Sequence, residues 1–145
     1  MSKKKKSVLC LLMTAVMIFS TSIAAFAAPV DETRYNNTLT VTSVASISDN
    51  GLLTISNRYQ GIKGTTTKGE ITTYVEKRIL GLFWTRVDIG QPNNQWYDVA
   101  YSYYYDGSHT FQLSSYGTYR ITVIYVISGS GGEPDTITRT TTQTY

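Results

Sequence analysis

The chain has 145 residues, with 13 basic and 10 acidic side chains, one cysteine and one histidine. Four of the basic residues are Lys3–Lys6, so the chain from Ala28 onward carries nine basic and ten acidic residues and is close to neutral. The overall charge therefore gives no reason to expect nucleic acid or an anionic membrane as a partner. A single cysteine, Cys10, excludes an internal disulfide framework and a thiolate metal site.

The first 27 residues have the layout of a secretory signal peptide. Lys3–Lys6 form a positive n-region, residues 8–19 form an apolar run, and Ala25-Phe26-Ala27 supplies the small residues of a cleavage site. The apolar run is too short to span a bilayer well, although an uncleaved anchor is the alternative. We therefore expect a cleaved signal peptide at 1–27, a flexible polar leader at 28–37 and one domain at 38–145 in a secreted, extracellular protein.

The rest of the chain alternates with the period of two that is typical of strands with one buried face. Turn signals, such as Asp49-Asn50-Gly51 and Asp106-Gly107, separate the alternating segments. Within them, Phe83 is predicted to face the core, and 96–105 is predicted to be one continuous strand. The predicted strands are 38–42, 53–59, 71–77, 83–89, 96–105, 109–113, 119–127 and 135–145.

Seven to eight short strands without a helical period predict an all-β domain. The spacing favours an antiparallel β-sandwich, and one sheet closed on itself is the alternative.

Two sequence patterns resemble known families. The segment Leu113–Val123 (LSSYGTYRITV) resembles the "G-x-Y-x-V-x-V" strand of immunoglobulin-like domains, in which Tyr119 matches the structural tyrosine-corner residue. This resemblance implies an immunoglobulin-like antiparallel β-sandwich of seven to eight strands. The wider layout, with VEKR at 75–78, WTRV at 84–87, GTYR at 117–120 and a glycine-rich hairpin, is similar to small secreted proteins of Gram-positive bacteria, whose domain families have no known function. This second resemblance covers about residues 50–140 and implies a compartment and a fold, but no activity.

No residue pattern predicts catalysis. His109 is the single histidine, and one sequence shows neither a nucleophile nor an orienting acid beside it. The acidic residues are scattered and are interpreted as solvent-facing or turn residues, without the spacing of a glycosidase pair or a calcium loop. We therefore expect no enzyme activity, no metal and no cofactor.

A cluster of aromatic residues is the one feature of the sequence that indicates a binding surface. We interpret Trp84 and Trp96 as core residues in preference to exposed ones, whereas alternation turns Tyr104 away from Tyr103 and Tyr105. Exposed rings stack on sugars or anchor protein partners. The candidate binding residues are Trp84, Trp96, Tyr101, Tyr103, Tyr104 and Tyr105.

The sequence therefore predicts a secreted, non-catalytic binding or structural protein of unknown ligand, with the envelope as one location. The alternatives are a carbohydrate-binding module that uses exposed Trp and Tyr, and a secreted antibacterial effector. The expected partner is an unknown extracellular protein or glycan, with no nucleic acid and, after signal cleavage, no membrane.

Overall fold

A computed structural model of the protein describes residues 35–145. These residues form eight strands and one short 3-10 turn. The strands are β1 (Thr38–Ile47), β2 (Leu52–Gly61), β3 (Thr66–Ile79), β4 (Phe83–Arg86), β5 (Trp96–Ala100), β6 (Tyr104–Gln112), β7 (Thr118–Gly129) and β8 (Gly132–Thr144), and the turn is Pro92–Asn94. The predicted signal peptide and most of the predicted leader lie outside the described residues. Among the described residues, no helix has the length and apolar character needed to cross a membrane.

The eight strands form two antiparallel sheets, which confirms the prediction of an all-β sandwich with seven to eight strands. One sheet has the order β1-β2-β6, and the other has the order β4-β3-β7-β8. Strand β5 also pairs with β3, opposite residues 69–73, whereas β4 pairs with β3 opposite residues 76–79. One edge of the long strand β3 therefore carries two short partners in succession.

The core lies between the two sheets and follows the period of two. On β7, alternate residues from Tyr119 to Ile127 are buried. This strand lies between β3 and β8, and these residues face the opposite sheet. The other buried apolar residues of this core are Ala45, Leu53, Ile55, Tyr59, Ile71, Val75, Leu113 and Ile137.

A short polar bridge crosses this core. Asn57 on β2 accepts a hydrogen bond from the Ser43 hydroxyl at 3.0 Å and donates one to the Thr73 hydroxyl oxygen at 2.8 Å. Asn57 and Thr73 are both fully buried, so their polar groups need these partners. Because Asn57 and Thr73 belong to different sheets, the bridge fixes how the sheets lie relative to each other.

The predicted continuous strand at 96–105 is wrong. Strand β5 ends at Ala100, residues 101–103 cross from one sheet to the other, and Tyr104 begins β6. The crossing is held by the Tyr59 hydroxyl, which donates to the Ser102 carbonyl at 2.7 Å. The predicted turn at Asp106-Gly107 is also wrong, since both residues lie inside β6. Gly107 is required there because a Cβ would collide with the Tyr105 hydroxyl.

Two further segments differ from expectation. Phe83 is exposed rather than in the core, because β4 extends beyond the area that the opposite sheet covers. The last residues of the predicted leader are well anchored: Asn37 is fully buried, and its backbone N–H donates to the Asp135 carboxylate at 2.7 Å. Asp135 is itself buried, contrary to the expectation of a solvent-facing acid.

Candidate functional site

The two tryptophans lie in different surroundings, and Trp84 is outside the core. Trp84 is half-buried on the outer face of the five-stranded sheet, where the guanidinium carbons of Arg120 and Arg78 lie 4.3 Å and 5.9 Å from the centre of its ring. These are cation–π contacts. Trp96 is half-buried at the edge of the core and stacks on His109, with ring centres 4.9 Å apart. The expectation of a core position therefore describes Trp96 better than Trp84.

The four tyrosines at 101–105 do not form one surface. Tyr101 and Tyr103 lie in the crossing between the sheets, where their side chains are 81% and 38% exposed. Tyr104 is exposed on the outer face of β6, and its hydroxyl donates to Asp106 at 3.0 Å. Tyr105 points inward and stacks on Tyr59, with ring centres 6.1 Å apart. The sequence grouped these residues because it did not reveal the change of sheet.

His109 forms a link between the sheets. Its Nε2 atom lies 2.7 Å from the Asp98 carboxylate, and both side chains are mostly buried. His109 belongs to β6 and Asp98 to β5, so the pair joins the open edges of the two sheets. Burial of the neighbouring Tyr105, with the Asp98 carboxylate nearby, raises the pKa of Tyr105. Sequence separation concealed this pair, since the two residues are 11 positions apart on strands of different sheets.

A shallow, open groove of about 420 Å³ lies beside β5 and was not predicted from the sequence. We name it the Tyr97 groove. It is lined by Gln91, Pro92, Asn93, Gln95 and Tyr97, so three carboxamides and one proline face an aromatic ring. The Tyr97 side chain is 56% exposed and projects from the outer face of β5.

The loop that carries the carboxamides has a defined backbone. The Asn94 N–H donates to the Gln91 carbonyl at 2.9 Å, and the Gln95 N–H donates to the Pro92 carbonyl at 3.3 Å. Asn93 and Asn94 both have positive φ, of 56° and 52°. Asparagine tolerates this left-handed conformation better than most residues, and Pro92 restricts its own φ. These hydrogen bonds and dihedral angles therefore give the turn that carries the amides a defined shape.

The Tyr97 ring is held from the other side by charged residues of β3. The Tyr97 hydroxyl donates a hydrogen bond to the Glu70 carboxylate, and Lys68 lies 3.0 Å from the same carboxylate. Glu70 accepts hydrogen bonds from Tyr97 and from Lys68, and both lower the pKa of Glu70, the bond from Tyr97 having the larger effect. The same bond to Glu70 raises the pKa of Tyr97. A charged acceptor therefore keeps the ring of Tyr97 in one orientation.

A second, smaller groove of about 250 Å³ lies on the outer face of the three-stranded sheet. Its lining includes Arg58 and Asp106, which form an ion pair at 2.5 Å. Asp106 also accepts the Tyr104 hydroxyl, so the polar groups in this groove already satisfy one another. No aromatic side chain lines it, and we regard the Tyr97 groove as the stronger site.

One sequence signal pointed to the Tyr97 groove. The run Gln91–Gln95 (QPNNQ) places four carboxamides and a proline directly before the aromatic pair at 96–97, but proline and asparagine in such a run equally indicate a loop between strands. Within residues 35–145, no group of three or more His, Cys, Asp or Glu side chains is placed to hold a metal ion. No protein-family model matches the chain, and no curated protein has a significantly similar sequence.

Proposed function

We propose that this protein is a secreted, non-catalytic carbohydrate-binding protein whose ligand site is the Tyr97 groove. The observation that carries the proposal is an exposed aromatic ring, fixed by Glu70, beside three carboxamides in one open groove. Carbohydrate binding was one of the two alternatives expected from the sequence, beside a secreted antibacterial effector. A general interaction with an extracellular protein is now the competing hypothesis.

The chemistry of the groove matches the two kinds of surface on a sugar ring. A pyranose has an apolar face of C–H groups, which packs on an aromatic ring such as that of Tyr97. Its hydroxyl groups both donate and accept hydrogen bonds, and a carboxamide offers two donors and an acceptor. Gln91, Asn93 and Gln95 therefore complement hydroxyl groups without the cost of removing a charge from water.

The groove also predicts the strength of binding. Tyr97 is held in place before ligand arrives, so little conformational entropy is lost at the ring. The carboxamides are solvent-exposed or half-exposed, and each hydrogen bond to sugar replaces one to water. The few net hydrogen bonds and one stacking contact must also offset the cost of association, so we expect weak binding of a single sugar unit. Useful avidity then requires a polymer with repeated units.

The immunoglobulin-like assignment and the secreted location are part of the same proposal. Three strands in the order β1-β2-β6 opposite β4-β3-β7-β8 support an immunoglobulin-like arrangement. The Tyr119 hydroxyl, at the start of β7, donates to the Ser115 carbonyl at 2.6 Å, as a tyrosine corner requires. In such sandwiches the edges and end loops are free for ligands. The Tyr97 groove uses one such edge, formed by β5 and the loop before it.

The proposal is tested on a glycan array that includes cell-wall and plant polysaccharides, followed by NMR titration of the protein with the highest-scoring oligosaccharide. We expect chemical-shift changes centred on residues 91–97. Tyr97→Ala should abolish binding because it removes the stacking surface. Gln91→Ala should weaken binding several-fold, by about one net hydrogen bond.

Tyr104→Ala is the matched control. Tyr104 is exposed to a similar degree and its hydroxyl also bonds a carboxylate, but it lies on the other sheet. Glycan binding that survives Tyr97→Ala and is lost in Tyr104→Ala would move the site to the three-stranded sheet. If no glycan binds, while a pull-down from envelope extract captures a protein in a Tyr97-dependent manner, the protein-interaction hypothesis replaces this one.

A further inference from the structure

The tip of the β3–β4 hairpin is an exposed apolar surface outside the Tyr97 groove. Leu80, Leu82 and Phe83 are 85%, 73% and 63% exposed, and Ile79 beside them is also exposed. Four large apolar side chains within five consecutive residues are unusual on the surface of a domain, because each leaves apolar area in water. From Thr72, opposite Tyr97, to Ile79 the strand covers about 23 Å, so the tip is a separate surface.

The conformation of the turn does not account for the leucine at position 80. The Leu82 N–H donates to the Ile79 carbonyl at 3.0 Å, and the two residues between them, Leu80 and Gly81, have φ of 51° and 69°. Turns of this type favour Asn-Gly, since leucine in the left-handed region is strained. A leucine at this position gives the turn no local advantage, whereas it adds an apolar side chain at the outermost point.

Basic side chains surround the base of the tip. Lys77, Arg78 and Arg86 belong to the hairpin, and Arg120 lies next to it on β7. Glu76 is the one acidic residue between positions 76 and 86, and it pairs with Arg120 at 2.8 Å. Four basic side chains against one carboxylate make this end positive, although the chain from Ala28 onward is close to neutral.

The aromatic residues of the hairpin hold these cations in place. Trp84 lies between Arg120 and Arg78, as described above. The Arg86 guanidinium lies 3.6 Å from the centre of the Tyr74 ring. Lys77 extends to the Ser115 hydroxyl at 2.6 Å. Arg78, Arg86 and Arg120 therefore each lie against an aromatic ring behind the apolar tip, and with Lys77 they form what we name the basic cluster.

We propose that the β3–β4 hairpin docks on the surface of an anionic lipid bilayer. Leu80, Leu82 and Phe83 enter the boundary between headgroups and acyl chains, as the apolar face of an interfacial element does. Trp84 lies at headgroup level, where amphipathic rings are favoured, and the surrounding arginines meet the lipid phosphates. This inference differs from the expectation that the protein has no membrane partner. That expectation rested on the near-neutral charge of the chain from Ala28 onward, whereas this hairpin has a local excess of basic residues.

Charge and exposed apolar area together favour lipid over a protein. The tip is apolar and has cations behind it, so a protein partner would need an apolar pocket with an acidic rim. An anionic bilayer offers the same combination over its whole surface, without a specific cavity. The apolar tip inserts into the bilayer, and the basic cluster is attracted to the anionic headgroups. Reversible membrane binding commonly combines two weak contributions of this kind.

The test is flotation of the full secreted chain with vesicles of phosphatidylcholine, alone or with about 30% phosphatidylglycerol. We expect flotation with the anionic vesicles, and much less with phosphatidylcholine alone or in about 0.5 M salt. Leu80→Asn should weaken binding about tenfold or more, because one inserted leucine side chain is lost. This variant places a favoured residue in the turn, so reduced binding is not a consequence of unfolding.

Matched variants separate the apolar and the charged contributions. Val44→Thr removes apolar area from an exposed site on β1 of the other sheet and should leave flotation unchanged. Arg78→Gln should weaken binding about fivefold, whereas Arg139→Gln, on exposed β8, should not. Arg78→Lys should bind like the wild type.

Several outcomes would overturn the proposal. Equal flotation with neutral and anionic vesicles would show that the basic cluster does not contribute to membrane binding. Flotation that Leu80→Asn does not reduce would exclude insertion of the tip. If the wild type does not float at all, but a protein from envelope extract binds it in a Leu80-dependent manner, the tip is a protein-docking surface. Tyr97→Ala should float normally, so that failure of the carbohydrate proposal is distinguished from failure of this one.

Discussion

The backbone N–H of Asn37 donates a 2.7 Å hydrogen bond to the carboxylate of Asp135, which is 98 positions later in the chain. The same carboxylate accepts the N–H of Asn36 and the hydroxyl of Thr38, each at 2.8 Å. In return, the Asn37 side chain donates to the Glu133 carbonyl at 3.1 Å. The first described residues are thereby fixed to the start of β8, and a buried charge has the hydrogen bonds that it needs.

Replacing this carboxylate should destabilise the whole domain. Asp135→Asn retains one acceptor oxygen but replaces the other with a donor that faces N–H and O–H groups. We expect the free energy of unfolding to fall by about 2–4 kcal/mol, from the loss of hydrogen bonds to a buried charge. Urea unfolding measures the change. Asp49→Asn, at an exposed turn, is the control and should change stability by less than about 0.5 kcal/mol. Equal effects of the two variants would contradict the anchoring role.

The hydroxyl of Tyr119 should contribute to stability in a similar way. Tyr119 is almost completely buried, and its hydroxyl bonds the Ser115 carbonyl. Tyr119→Phe leaves that carbonyl without its partner, so we expect a loss of roughly 1–3 kcal/mol in urea unfolding. Tyr101→Phe removes a hydroxyl from an exposed ring and should be close to neutral. A loss of under about 0.3 kcal/mol in Tyr119→Phe would show that the corner bond does not stabilise the fold.

The sheets were predictable from sequence because burial of one face imposes a period of two. Strand β7 is the clearest case: alternate residues from Tyr119 to Ile127 are apolar, and all of them are buried. The fold class followed from several such segments separated by turn signals. The period of two does not report which sheet a strand joins, and that is why the change of sheet after Ala100 was missed.

Contacts between distant positions were not predictable. Nothing near Asp135 in the sequence indicates that Asn37 binds it, and nothing near His109 indicates Asp98. The alternation at Phe83 was correct as a pattern, but whether a face is covered depends on the opposite sheet, which ends before β4. Of the candidate site, the sequence indicated the aromatic segment. It did not distinguish Tyr97, beside the groove, from Tyr105, inside the sandwich.

The turn of the β3–β4 hairpin should become more stable when its strained leucine is replaced. Leu80 has a φ of 51°, and Leu80→Asn introduces the residue type that best tolerates it before Gly81. We expect a gain of about 1 kcal/mol in the free energy of unfolding. Leu82→Asn is the control, since Leu82 is comparably exposed but is not among the residues with positive φ. A gain of the same size in both variants would indicate a general effect of lower exposed hydrophobicity, and not relief of strain.

The orientation of Tyr97 should depend on pH through Glu70. The hydrogen bond from Tyr97 and the contact with Lys68 lower the pKa of Glu70 below its ordinary value of 4.5. A lowered pKa means that the charged contact is complete above the ordinary value and is lost as the pH falls through the lowered one. We therefore expect the ring-proton NMR signals of Tyr97 to titrate with a midpoint below 4.5. Glu70→Gln should remove this acid transition, whereas Asp88→Asn, at an exposed acid, should leave it unchanged. A titration midpoint at or above the ordinary pKa of Glu70, or a titration that persists in Glu70→Gln, would show that another group controls the ring.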